Sequence, residues 1–433
     1  MKNKEENMTY EETLEYIHTV NWQFCKPGLE RIRELCKGLK NPEKSLKFIH
    51  VAGTNGKGSF CSMLSTVLTK AGYKTGLYTS PYIKCFNERM AINGEMISND
   101  ELVEITKKVK IVADKMEDKP TEFELVTAIA LEYFKRNKCD YVVFECGLGG
   151  RLDSTNIVEN VELSVITGIS LDHTSILGNT ISEIAKEKAG IIKDNIPCLW
   201  CGNNKEAKNV IEQTAKYRHS PLCFSDHSEI KIKETSLNGT TLDYKDFKNI
   251  KINLLGVYQP LNCANVLEAI TILRKNGLKI DDKAVYDGMS SAAWHARFER
   301  ILDTPLVIFD GAHNPEGVLA SVDSIKHYFG DKKVYVLTGV MKDKDYSFMA
   351  RKISEASKKV FTITPDNPRA LDAGEYCEVY KSLGIETYSF SCVEDGLTFA
   401  LREAQKDGYA LFCLGSLYMY SQITDIIEKS FSI

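Results

Sequence analysis

The chain has 433 residues, 43% hydrophobic and 26% charged, a balance that excludes disorder and leaves room for two domains. A net charge of −4 excludes any broad attraction to nucleic acid or acidic membranes, while leaving room for a local basic cleft for phosphates. The 13 cysteines are scattered and odd in number, which argues against a disulfide framework and for a reducing compartment. The polar N-terminal stretch lacks the apolar core of a signal peptide, and no run of about 18 apolar residues occurs, so a cytoplasmic protein is expected.

In chain order, Lys47–Ala52 reads as a short buried strand ending at Gly53. Phe60, Met63, Leu64, Val67 and Leu68 then recur at helical spacing, with Gly72 as a stop. A brief strand is predicted around Gly76–Thr79. Ser98 with Glu101, and Thr121 with Glu124, have the spacing of capping boxes that open helices. Tyr141–Glu145 and Val161–Thr167 read as further buried strands, and this alternation predicts a mostly parallel sheet with helices on both faces. Residues 228–253 break the rhythm: Ile230–Tyr244 reads as a hairpin turned at Asn238-Gly239, an antiparallel excursion within the first domain. From Leu306 the alternation restarts, with strands near 306–310, 333–338, 359–362 and 410–414. The fold class is thus α/β, with a phosphate-loop domain over 1–298 and a smaller Rossmann-like α/β domain over 299–433.

Between the first strand and helix lies Gly53-Thr54-Asn55-Gly56-Lys57-Gly58-Ser59. Glycines permit positive φ and close backbone approach, so successive N–H groups can point at phosphate oxygens, and the helix N-terminus adds partial positive charge. Lys57 supplies a mobile charge and Ser59 a hydroxyl on the magnesium side. The strict phosphate-loop pattern is not met, because Gly58 stands between Lys57 and Ser59; a purely structural glycine turn is the competing reading. Ligands of open α/β sheets gather beyond the carboxyl ends of the strands. Ser80, Glu145 and Asp172-His173 all fall there, and hard oxygen donors beside a triphosphate suit magnesium. Taken alone, Lys188 reads as one lysine of a solvated helix face, and Thr121 with Glu124 as a cap. Three other patterns carry no function. Asn137-Lys138-Cys139-Asp140 precedes its strand instead of following it, Cys198–Cys201 is a lone pair without partners at metal spacing, and no serine sits in a hydrolase elbow.

The order and spacing of many segments resemble the folylpolyglutamate synthase/dihydrofolate synthase family of the Mur ligase superfamily, over roughly residues 28–418. These are Gly53–Ser59, Thr79–Tyr82, Asn87–Met90, Thr121–Glu124, Glu145–Asn156, Asp172-His173, Glu187–Ile191, Gly256–Asn262, Trp294–Arg297, Phe309–Pro315 and Gly415–Tyr418. The resemblance implies an ATP-dependent ligase that adds L-glutamate to a folate, or to dihydropteroate, through an acyl phosphate. It implies that Gly56, Lys57, Gly58 and Ser59 hold phosphates, and that Asn262, Arg297 and Asp310 reach the nucleotide. Ser80 and Glu145 would bind one Mg2+, and His173 a second together with a carbamylated Lys188. Lys57, His173 and Lys188 would be the catalytic groups. Thr121, Glu122, Phe123 and Glu124, with Leu152, Asp153 and Ser154, would contact the pteroate moiety. The family default is a monomer. Another Mur-type amino-acid ligase and a phosphate-loop NTPase switch are the alternatives. The 52 residues ahead of Gly53 are too few for the UDP-sugar domain expected of cell-wall ligases, and the Glu145–Asn156 segment speaks against a switch.

Overall fold

Residues 8–19 and 28–431 are described in a computed structural model, and their contacts divide into two compact units. The first unit holds residues up to 228 together with 262–291; the second holds 229–261 and 292 onward. No helix among the described residues is long and apolar enough to cross a membrane.

The first unit is built on one sheet. Its strands are β1 (Phe48–Ala52), β2 (Thr75–Tyr78), β3 (Met90–Ile92), β4 (Glu95–Met96), β5 (Tyr141–Glu145), β6 (Val161–Ile166), β7 (Cys198–Trp200) and β8 (Leu222–Phe224). Their order is β4-β3-β2-β5-β1-β6-β7-β8, and all pairings are parallel except those of β3 and β4 at one edge. β1 and β5 are buried at every position, as continuous apolar runs in a sheet covered on both faces must be. In register, Val51 stands opposite Glu145 on β5 and Val165 on β6, so three strands end level with one another. Chain order reverses around β1, and the segments after β1, β5 and β6 therefore meet at one switch point.

The helix Lys57–Lys70 buries the predicted stripe, and Gly72 follows it at φ +90°. Thr121 caps Glu122–Arg136 in a reciprocal box with Glu124. At Ser98 the hydroxyl accepts from the Glu101 amide at 3.2 Å, while the Glu101 carboxylate meets the Ser98 hydroxyl at 3.4 Å and not its backbone N–H.

In the second unit β9 (Ile230–Ser236), β10 (Gly239–Tyr244) and β11 (Phe247–Ile252) form an antiparallel sheet, one strand more than the hairpin read from sequence. Leu237 and Leu255 pack into the same apolar cluster as Phe298, Ile308 and Phe412. This is the physical reason that the excursion groups with the C-terminal residues and not with the first domain, and the last crossing between units falls at 291/292. β12 (Glu299–Asp303), β13 (Leu306–Asp310), β14 (Val334–Thr338), β15 (Ser357–Ile363), β16 (Glu386–Phe390) and β17 (Leu411–Leu414) form a sheet ordered β12-β13-β17-β14-β15-β16, parallel apart from β12.

Candidate active site

The glycine turn is shaped by its neighbours. A Cβ on Gly53 would fall 1.7 Å from Thr167 Oγ1, and Gly56 caps the following helix at φ +86° with Asn262 Oδ1 only 2.8 Å from where a Cβ would stand. Neither position tolerates a side chain. Thr54 N–H donates to Gly168 O at 2.7 Å, and the Thr167 hydroxyl donates to Asn55 O at 2.8 Å, so the segment after β6 clamps the turn. Lys57 Nζ folds back onto Gly53 O and Thr54 O, each at 3.1 Å, and lies 3.9 Å from a Glu145 carboxylate oxygen. Ser59 is buried in the first turn of the helix, beside Gly58.

The strand-end residues converge on this turn. Glu145 is buried at the end of β5, and the Ser80 backbone N–H, just past β2, points to it at 3.4 Å. Lys188, on the helix Ile181–Ala189, is 4% exposed and donates to Gly53 O at 2.7 Å; it belongs to the phosphate turn and not to a solvated face. Burial first, and the nearby Lys57 charge second, push its ammonium down to about 7, against the pull of Asp172 and Asp153. His173 stands at φ +49° ahead of the short helix Thr174–Leu177, half exposed, with Nε2 4.0 Å from Asp172. Among the described residues no trio of His, Cys, Asp and Glu could cage a metal by itself. The donor set instead suits Mg2+ held by one carboxylate, Glu145, together with phosphate oxygens.

A second cluster lies on the loop after β5. Phe123 presses its ring onto Gly147, where a Cβ would sit 2.4 Å from Cζ, and tilts against Tyr78 with centroids 6.2 Å apart. Thr121 and Glu124 are occupied structurally. Glu124 accepts from Thr121 N–H at 2.6 Å and from Arg31 Nε at 3.0 Å, in an ion pair whose side chains are 10% and 5% exposed. Glu122 pairs with His18 at 3.1 Å. Leu152 is half-buried; Asp153 is buried and accepts from the Leu148 and Thr155 amides at 2.7 and 3.0 Å and from the Thr155 hydroxyl at 2.5 Å. Ser154 shares a hydrogen bond with Thr127 at 2.9 Å. Asn156 fastens the loop by donating to Arg151 O and Gly190 O, each at 3.1 Å, and receives Lys193 Nζ on its side chain at 2.9 Å.

The second unit holds its own polar group. Asp310 ends β13, fully enclosed, and accepts from Tyr258 O–H at 3.1 Å, Ser321 O–H at 2.9 Å and Ala312 N–H at 3.1 Å. Burial raises its carboxyl, and the Arg297 guanidinium is the strongest force in the other direction. Arg297 crosses Gly311 so closely that a Cβ there would meet Nη1 at 2.5 Å. His295, beside it, is turned to Glu299 at 2.8 Å. Residues that the sequence reading did not single out are His50, Tyr258 and Lys193. The first sits inside an apolar strand, and only the third dimension shows what it meets.

Two domain models match the chain: the Mur ligase middle domain over residues 51–273 and the Mur ligase glutamate ligase domain over 296–417. The chain is 37% identical to the dihydrofolate synthase/folylpolyglutamate synthase of Bacillus subtilis over 425 residues, covering 96% of this chain and 98% of that protein. It is 33% identical to the folylpolyglutamate synthase of Lacticaseibacillus casei, covering 96% and 98%. Among solved structures, Thermotoga maritima folylpolyglutamate synthase superposes with a TM-score of 0.84 at 31% identity, covering 97% of each chain. Escherichia coli FolC in complex with DHPP and ADP superposes with a TM-score of 0.85 at 28% identity, covering 98% of each.

Proposed function

Because the chain belongs to the folylpolyglutamate synthase/dihydrofolate synthase family of Mur ligases, we propose that it joins L-glutamate to a folate at the expense of ATP, acting as a cytoplasmic monomer. The observation that carries the reading is the convergence of Lys57, Glu145 and Lys188 on the phosphate turn within a chain that matches both Mur ligase domains.

A carboxylate and an amine do not condense unaided at neutral pH. The acceptor carboxylate attacks the γ-phosphorus of ATP, the bond to the bridging oxygen breaks, and ADP leaves with an acyl phosphate formed. The deprotonated glutamate amine then attacks the acyl carbon, sheds a proton, and the C–O bond to phosphate breaks. In the first step the amides of Gly56–Ser59 hold the phosphates, and Lys57 swings from Gly53 and Thr54 to the transferring group. Ser80 and Glu145 would hold one magnesium ion, and His173 with carbamylated Lys188 a second. Bound there, Mg2+ supplies positive charge to the phosphate oxygens. Asn262 approaches the phosphate turn at Gly56, and Arg297 and Asp310 would contact the nucleotide. The Phe123 ring and Leu152–Ser154 border the pteroate moiety, with Thr121, Glu122 and Glu124 holding that edge in shape.

The test is ADP release with ATP, magnesium and glutamate, comparing dihydropteroate with reduced folates and reading product masses. A one-glutamyl gain on reduced folate assigns chain extension; gains on both acceptors assign a bifunctional enzyme. No acceptor-dependent ADP from folded protein overturns the reading.

A further inference from the structure

His50 is fully buried at the middle of β1, three residues before the phosphate turn. Its Nε2 lies 2.9 Å from Thr155 Oγ1 and 3.1 Å from Cys146 Sγ, while Nδ1 has no hydrogen-bond partner among the described residues. The protons can be placed by counting. Burial raises the Asp153 carboxyl, but the Leu148 and Thr155 amides at 2.7 and 3.0 Å favour it as an acceptor, and its Oδ1, 2.5 Å from Thr155 Oγ1, takes the one hydroxyl proton of Thr155. Thr155 Oγ1 must therefore accept from the imidazole, so His50 carries its proton on Nε2 and leaves Nδ1 buried without a hydrogen-bond partner among the described residues. The Cys146 thiol, 3.4 Å from Thr155 Oγ1, completes the knot. Burial, with Lys193 nearby, holds the imidazole neutral, and burial holds the Cys146 thiol protonated.

We propose that His50 is a positioning residue for the acceptor substrate: the relay from His50 Nε2–H to the Thr155 hydroxyl to the Asp153 carboxylate sets the loop that borders the pteroate moiety. The relay ties β1 to the loop after β5. Asp153 in turn receives the amide of Leu148 at 2.7 Å, one residue from the Gly147 face on which Phe123 lies. The inference rests on the acceptor-site reading given above. It separates His50 from the nucleotide machinery, although the phosphate turn is its near neighbour in sequence. A buried donor removed from such a chain leaves Thr155 with an unfilled lone pair and frees Asp153 to turn.

Two measurements test it. In wild-type protein, 15N spectra of the imidazoles between pH 5.5 and 8.5, with His50→Gln used for assignment, should show His50 as a non-titrating Nε2–H tautomer. An Nδ1–H tautomer, or an ordinary titration, overturns the relay whatever the substrate is. In steady-state kinetics, His50→Leu and Thr155→Val should each raise the acceptor KM about tenfold and leave the ATP KM within about twofold. The double variant should be no worse than either single one, and His50→Gln, which keeps a donor near the Nε2 position, should recover most of the loss. Equal changes in both KM values, additive losses, or no rescue by His50→Gln overturn the positioning role. If His50→Leu does not fold, Thr155→Val and the tautomer decide. A protein with the predicted tautomer but no folate-dependent turnover would refute the substrate reading and leave the relay standing.

Discussion

Lys188 Nζ donates at 2.7 Å to the carbonyl oxygen of Gly53, the same oxygen that Lys57 Nζ reaches at 3.1 Å. Two ammonium groups sharing one acceptor repel each other, and burial together with that repulsion weakens the hold of Lys188 on its proton. Folded, Lys188 loses its proton near pH 7; unfolded, near the ordinary lysine value of 10.5. Between those values the unfolded chain binds a proton that the folded chain does not, so this group makes stability rise with pH, by at most about 1.4 kcal/mol per pH unit. Below pH 7 both states hold the proton and the slope vanishes. Denaturant titrations at pH 6, 7, 8 and 9 on native protein and on Lys188→Met should differ by that slope above pH 7 only; parallel curves would contradict the burial of a strained ammonium.

The neutral amine is also the form that adds carbon dioxide, forming an N–C bond and releasing a proton. With 13C-bicarbonate, a carbamate resonance should appear in native protein, weaken below pH 7, and be absent from Lys188→Met. No resonance at pH 8 would remove Lys188 from the metal site.

Lys57→Ala should lower turnover by about three orders of magnitude or more, since the charge that follows the transferring phosphoryl group is gone. Its thermal midpoint should stay within about 2 °C, because the loss of two carbonyl contacts and of the 3.9 Å approach to Glu145 is offset by relief of the repulsion on Lys188. Near-normal turnover would take Lys57 out of catalysis.

Arg31→Met leaves the Glu124 carboxylate buried without its cation, and about 3–5 kcal/mol of stability should go with it. Adding Glu124→Gln should restore a good part of that loss, because the uncompensated charge is removed while the cap to Thr121 survives in weakened form. The reading fails if the double variant is as unstable as Arg31→Met alone.

In the second unit, Tyr258→Phe removes one of three donors to Asp310. A nucleotide contact at Asp310 predicts an ATP KM raised about three- to tenfold with the acceptor KM unchanged. A shift confined to the acceptor would place Asp310 elsewhere in the reaction.

How legible these features were depended on length and burial. The phosphate turn and Glu145 could be read directly, because a fully buried strand that ends in glycines or in a carboxylate places polar, close-approach groups where a ligand of the sheet would sit. The strands read near 306–310, 333–338, 359–362 and 410–414 were equally plain, and they form at Leu306–Asp310, Val334–Thr338, Ser357–Ile363 and Leu411–Leu414. β7 and β8 have three residues each, too few for any period, and β16 is an edge strand whose exposed Glu386 and Ser389 look like loop. β11 interleaves Lys248, Asn249 and Lys251 with its apolar residues, and the hairpin was read without it. At Thr121 and Glu124 one motif carries two meanings: the spacing announces a cap, and the structure adds the buried Arg31 that no local pattern could supply. His50 was invisible for the opposite reason, since one imidazole in an apolar run gives no hint of a partner 105 residues away.

The chain passes between its two units three times, at 228/229, 261/262 and 291/292. Neither unit can therefore be obtained by stopping or starting translation at a single codon. On the ribosome, β9–β11 emerge long before the residues 292–431 that cover Leu237 and Leu255, and the helix residues 262–291 must find their place in the first unit with that sheet still unpartnered. A gene split after residue 298 would leave Leu237 and Leu255 uncovered on one fragment, so complementation from two halves should fail there and a single protease nick near 228 should not release a free domain.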